Sequence, residues 1–220
     1  AGLSFYEIGT GRITNYYESN GLIDENITAV FSDDNEFLWI GSQSGLMRFD
    51  GNSFEYYNIA PDNNSNQVRS IIRDREGNLW FGTHSGLYRY RDNSFATFDK
   101  ESGLGSAFIF QIFRDRKDNL WVTSQNSGIF RETDGIFTRF GPANGITGNT
   151  ARSGLEDRQG RLLFGAGSQL LQFRNGHFYE IALPKEFRGQ IDIMYEAKDG
   201  TVWLGGENGI CTLTWRYGAP

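Results

Sequence analysis

Imperfect copies of one stretch recur along this chain at a nearly fixed interval, and no other feature limits the fold as strongly. The clearest copy reads Asp74-Arg75-Glu76-Gly77-Asn78-Leu79-Trp80-Phe81-Gly82-Thr83-His84-Ser85-Gly86-Leu87. Its tryptophan slot holds Trp39, Trp80, Trp121, Leu163 and Trp203, at steps of 41, 41, 42 and 40 residues. A period in this range belongs to stacked or radial repeats, whose units bury their apolar faces against their neighbours. The composition fits many tight turns and a β-rich core, with Gly 28 and Pro only 4 in 220 residues, and Phe 18, Tyr 10 and Trp 5.

Each repeat parses into four short extended runs. The first is apolar and partly alternating: Ile27 to Phe31, Val68 to Ile72, Ile109 to Phe113, Ala151 to Leu155 and Ile191 to Tyr195. Asp33, Asp74, Asp115 and Asp157 open the turn that follows, with Ala197 as the exception, and Gly77, Gly160 and Gly200 sit where that turn needs a positive φ. The second run carries the tryptophan, and a small Gly-rich loop leads into the third. The fourth run pairs apolar residues three apart: Ile13 and Tyr16, Phe54 and Tyr57, Phe95 and Phe98, Phe137 and Phe140, Phe178 and Ile181.

About 40 residues per four strands, without helical periodicity, predicts an all-β propeller blade; an open β-solenoid has shorter repeats. The expectation is one domain over residues 1–220 with five four-stranded blades, at 26–59, 67–99, 107–141, 150–182 and 190–215 plus 3–17. The N-terminal strand should complete the last blade and lock a ring without exposed edges. Phe5 to Ile8 and Ile210 to Leu213 then compete for one third-strand slot, so the alternative is a fragment of a larger, seven-bladed propeller.

Asp-x-x-Gly-Asn-Leu-Trp-Phe-Gly-Thr-x-x-Gly-Leu-Tyr-Arg-Tyr, at Asp74 to Tyr90, resembles the two-component regulator propeller repeat. Asn20-Gly21-Leu22, Ser102-Gly103-Leu104 and Asn144-Gly145-Ile146 resemble the inter-blade segment of that family. The resemblance covers essentially the whole chain. It implies the periplasmic or extracellular sensor region of a bacterial hybrid two-component system, in a family that includes detectors of glycan-derived oligosaccharides. A membrane span and kinase would lie elsewhere.

A net charge of −6 with no basic stripe argues against nucleic acid, and no apolar run reaches the length of a membrane span, so this segment is not expected to insert directly. Cys211 alone excludes an intrachain disulfide. The recurring Trp, Leu and Phe positions read as core, and the four turn aspartates as acceptors for backbone N–H groups. Recognition is sought where the copies differ, because scaffold demands are the same in every blade. Two such places emerge. One is the loop between second and third runs, with Gln43, His84, Gln125, Asn126, Glu207 and Asn208. The other is an early position of the innermost run, with Thr28, Arg69, Phe110, Arg152 and Asp192. Amides, arginines and an aromatic at one mouth suit a polar ligand such as an oligosaccharide or a uronic acid.

No cofactor, metal site or catalytic residue is expected. The enzyme alternative is a lyase or glycan-processing propeller using His84 and Glu207. The scaffold alternative offers the same face to a protein partner or in a homodimer, or is an engineered propeller without a ligand.

Overall fold

The computed structural model describes residues 2–33, 37–59, 66–98, 101–104 and 108–215; the expected blade ends at 99 and 107 lie outside them. The chain divides into two compact units, Ala1–Phe98 and Asp99–Pro220. In the first, β1 (Leu3–Glu7) and β2 (Arg12–Tyr16) form a two-stranded sheet. Then β3 (Ile27–Ser32), β4 (Leu38–Ser42), β5 (Leu46–Phe49) and β6 (Phe54–Tyr57) form a four-stranded sheet in chain order, followed by another of β7 (Val68–Arg73), β8 (Leu79–Thr83), β9 (Gly86–Arg91) and β10 (Ser94–Phe98). In the second unit, β11 (Phe108–Arg114), β12 (Leu120–Gln125), β13 (Gly128–Thr133) and β14 (Ile136–Phe140) make one blade. A second consists of β15 (Ala151–Glu156), β16 (Leu162–Ala166), β17 (Gln169–Arg174) and β18 (His177–Ile181). The final sheet has three strands, β19 (Ile193–Glu196), β20 (Val202–Gly206) and β21 (Gly209–Leu213). Every neighbouring pair is antiparallel.

The four-strand parsing therefore holds in four blades. In the first unit β1 and β2 pair with each other, from Leu3↔Tyr16 to Glu7↔Arg12, and in the second unit the last sheet holds three strands among the described residues.

Blades pack face to face through the repeated hydrophobes. In the first unit Trp39, Leu46 and Tyr57 meet Phe81, Tyr88 and Phe95 of the next blade, with Trp39 and Phe81 ring centres 5.5 Å apart. In the second unit Trp121 lies 5.1 Å from Phe164 and 5.0 Å from Phe173. These separations are those of favourable tilted and edge-on aromatic pairs. Where blade four has Leu163, the residue is also buried, against Val202 and Leu204. Trp203 is the exception to the core expectation. It is 44% exposed, on a face shared with Ile193, Tyr195 and Ile210.

The turn aspartates accept backbone N–H bonds as expected, and they do more. One Asp115 oxygen accepts the amides of Lys117 (3.0 Å) and Asn119 (2.9 Å). The other accepts the Asn119 side chain (2.7 Å) and the Trp121 indole N–H (2.8 Å). Asp33 holds Trp39 and Asp74 holds Trp80 in the same way, at 2.9 and 2.7 Å. The carboxylate thus ties the turn to the buried tryptophan. Where Leu163 removes the indole, Arg161 Nε takes its place at 2.5 Å from the fully buried Asp157. Where Ala197 removes the carboxylate, the tryptophan is the exposed Trp203.

Glycine is required in the inter-blade segments. Gly103 (φ 89°) and Gly145 (φ 93°) have left-handed backbone, and an added Cβ would sit 2.5 Å from the Phe137 carbonyl oxygen and 2.3 Å from that of Phe178. The next residues, Leu104 and Ile146, are buried. This is why Gly-Leu or Gly-Ile recurs between blades.

Candidate functional site

The first strand of each complete blade is bulged, and the bulge falls on the variable position. The register between first and second strands shifts between Ile27 and Ala29, Val68 and Ser70, Ile109 and Gln111, and Ala151 and Ser153. The residues at these shifts are Thr28, Arg69, Phe110 and Arg152. A bulge inserts one extra residue into the strand, bends it and re-aims the side chain at that position. Asp192, the fifth member, immediately precedes β19 and hydrogen-bonds through its N–H to Gly205 (2.8 Å).

In the second unit three of these side chains form a row. The Arg152 guanidinium lies 4.9 Å from the Phe110 ring centre, and its Nη1 donates to Asp192 Oδ1 at 2.9 Å. Both charged side chains remain partly exposed, so the ion pair adds at most about 1 kcal/mol to stability. Its stronger effect is to fix the arginine head between an aromatic face and a carboxylate. The strands are registered beside one another: the Gly154 N–H donates to the Gln111 side-chain oxygen (2.7 Å), and the Ser153 hydroxyl donates to the Ile191 carbonyl (2.9 Å). Glu207, on the β20–β21 turn, shares with Asp192 a shallow hollow of about 520 Å³.

The other predicted loop residues occupy equivalent turns. The backbone N–H groups of Gln43 and His84 donate to Asn26 O (3.1 Å) and Gln67 O (3.0 Å), which ties each turn to the residue before its own first strand. Asn126 takes a left-handed backbone (φ 60°) and its N–H donates to Thr150 Oγ1 at 3.3 Å. Gln125 ends β12 opposite Phe108, and Asn208 lies against Gly189. Arg69 and His84 are exposed in the first unit, and Glu207 and Asn208 in the second. The structure thus gathers Phe110, Arg152, Asp192 and Glu207, while Gln43 joins a different hollow in the first unit.

That hollow escaped the sequence reading. It is lined by Asp24, Ser44, Tyr56, Asn58 and Asn66 as well as Gln43, and it measures about 720 Å³. Asp24 stands in the inter-blade segment read above as a connector, and Tyr56 beside the apolar pair of a fourth strand. Burial pushes the Asp24 carboxyl up, but bonds from the Asn26 backbone N–H, the Ser44 hydroxyl and the Asn26 amide together hold it below its ordinary value. Among the described residues, no three His, Cys, Asp or Glu side chains converge as metal ligands, and no helix is long and apolar enough to cross a membrane.

Residues 56–85 match the family described as "Two component regulator propeller". No curated protein sequence matches the chain. Among solved structures, the extracellular domain of the hybrid two-component system BT3049 from B. thetaiotaomicron superposes with a TM-score of 0.77 at 23% identity, over 95% of this chain and 30% of that one. The extracellular domain of BT4673 from the same organism gives 0.61 at 20% identity, over 91% of this chain and 33% of that one. The chain therefore spans about a third of those structures. Virginiamycin B lyase from Staphylococcus aureus gives 0.72 at 17% identity, over 97% of this chain and 77% of that one. At such identities the likeness speaks for the fold. The chain thus carries a two-component regulator propeller repeat at residues 56–85 and has a β-propeller fold.

Proposed function

We propose that the chain is the non-catalytic, ligand-recognising part of an extracytoplasmic sensor in a bacterial two-component system, and that it binds a polar ligand such as an oligosaccharide through the bulged positions and the turns beside them. The observation that carries this reading is the coincidence of bulge and divergence: the residue at the register shift in each complete blade is also the one that changes from copy to copy, as Thr28, Arg69, Phe110 and Arg152. The likeness to extracellular domains of hybrid two-component systems supports the sensor role and the location.

Phe110 offers a face to the C–H side of a sugar ring. Arg152, held by Phe110 and Asp192, offers a fixed cation to a carboxylate or hydroxyl, so little side-chain entropy is lost on binding. Signal follows if the ligand favours one of two arrangements of the sensor, by an amount equal to its differential affinity for them.

Calorimetric titration with oligouronates and neutral oligosaccharides tests the reading. A defined stoichiometry, with affinity reduced at least tenfold by Arg152→Ala or Phe110→Ala, is expected. Binding that survives both substitutions removes the pocket from these positions. The appearance of an unsaturated chromophore would instead favour a lyase, the activity named for the Staphylococcus aureus relative.

A further inference from the structure

The hollow of the first unit has a chemistry of its own, distinct from the arginine row. Asp24 and Asn66, 7% and 6% exposed, are polar side chains drawn into its wall, where burial is costly unless their hydrogen-bonding capacity is used. Asn66 Nδ2 donates to Asn58 Oδ1 at 3.1 Å, and Ser44 Oγ donates to Asp24 Oδ2 at 2.7 Å, so amides and carboxylate are fixed in place. Gln43 adds a further amide. Tyr56 is 52% exposed, and its hydroxyl is anchored on the Gly21 carbonyl at 2.7 Å. That bond holds the ring as a wall.

We propose that this hollow is a second binding site, selective for a neutral, hydroxyl-rich ligand. Fixed amide and carboxylate oxygens accept from hydroxyl groups, and amide N–H groups donate back to them, so the lining satisfies vicinal diols in both directions. The tyrosine ring packs on the apolar face of a pyranose. Charge sets the selectivity: among the described lining residues there is no Lys or Arg, and Asp24 stays ionised, so an anionic ligand is repelled. The volume lies in the range of small-ligand sites and accommodates one or two sugar rings. The inference deepens the ligand-recognition reading and rests on it, but it uses none of the residues of the Phe110–Arg152–Asp192 row.

The test titrates the full chain with maltotriose, xylotriose and cellotriose, and in parallel with a trigalacturonate, followed by calorimetry and saturation-transfer NMR. A neutral trisaccharide should bind, and Tyr56→Ala and Gln43→Ala should each weaken it at least tenfold with unchanged melting temperature. Tyr179→Ala, which removes an exposed aromatic of the second unit, should leave it intact. Binding lost in Arg152→Ala but kept in Tyr56→Ala would sink this inference while the sensor reading stood. Preference for the trigalacturonate at Tyr56 would also overturn it. If no saccharide of either kind binds, both readings fall.

Discussion

Removing the carboxylate of Asp115 tests how the blade is held. Asp115→Ala strands four donors: the Trp121 indole N–H, the Asn119 side-chain amide, and the backbone N–H groups of Lys117 and Asn119. Trp121 is fully buried, so its indole N–H has no access to water and bears a full penalty of about 1–3 kcal/mol. The two backbone groups lie on a surface turn and recover much of their hydration, so each adds roughly 0.5 kcal/mol. Relief from burying the carboxylate offsets part of this. A net loss of about 3 kcal/mol is expected, which at this chain length lowers the melting temperature by about 6–12 °C. Asp115→Asn should lose less, because one oxygen still accepts the turn amides, but its NH₂ would face the indole donor. Denaturant unfolding of Asp115→Ala, Trp121→Phe and the double variant isolates the coupling, expected at about 1–2 kcal/mol. A loss for Asp115→Ala below about 1 kcal/mol, or a coupling near zero, refutes the bracket.

Three further outcomes follow. Gly154→Ala would place a Cβ 2.2 Å from the Phe113 ring, and thermal unfolding should show a loss of about 1–3 kcal/mol from overpacking. Ala197→Asp restores the missing carboxylate beside Trp203; because that indole is partly exposed, calorimetry should show a gain no larger than about 1 kcal/mol, and a large loss would mean the fifth turn differs from the others. Asp24 has a lowered pKa in the folded chain, so its stabilising effect is present above the ordinary carboxylate pKa near 4 and is lost as pH falls through the lowered value. The stability difference between wild type and Asp24→Asn should therefore shrink on acidification below about pH 4, and a difference that grows instead would reverse the sign.

The sequence made the blade legible because its determinants are local. A strand of alternating hydrophobes, an Asp-initiated turn and a Gly-Leu connector each act within a few residues, so Asp74, Gly77 and Trp80 announce the same turn and core wherever they recur. Even so, only the structure shows that the aspartate reaches the indole six residues away, and that Arg161 replaces the indole where Leu163 stands. At the candidate site, the divergent residues were visible by comparing copies, and Arg152 does meet Phe110 and Asp192. The hollow around Asp24 was missed because its lining is assembled from a connector, a turn and the end of a strand, none conspicuous alone.

The central claim assigns recognition to the positions where the blades differ and stability to those where they agree. It is tested most directly by the shift in melting temperature that an oligouronate produces in wild type and in Arg152→Ala. The account predicts a clear upward shift in wild type that vanishes in the variant, whose ligand-free melting temperature stays within about 2 °C of wild type because the Arg152–Asp192 pair is partly exposed. An unchanged ligand shift in Arg152→Ala, accompanied by a large fall in its ligand-free melting temperature, would contradict it and make Arg152 part of the scaffold.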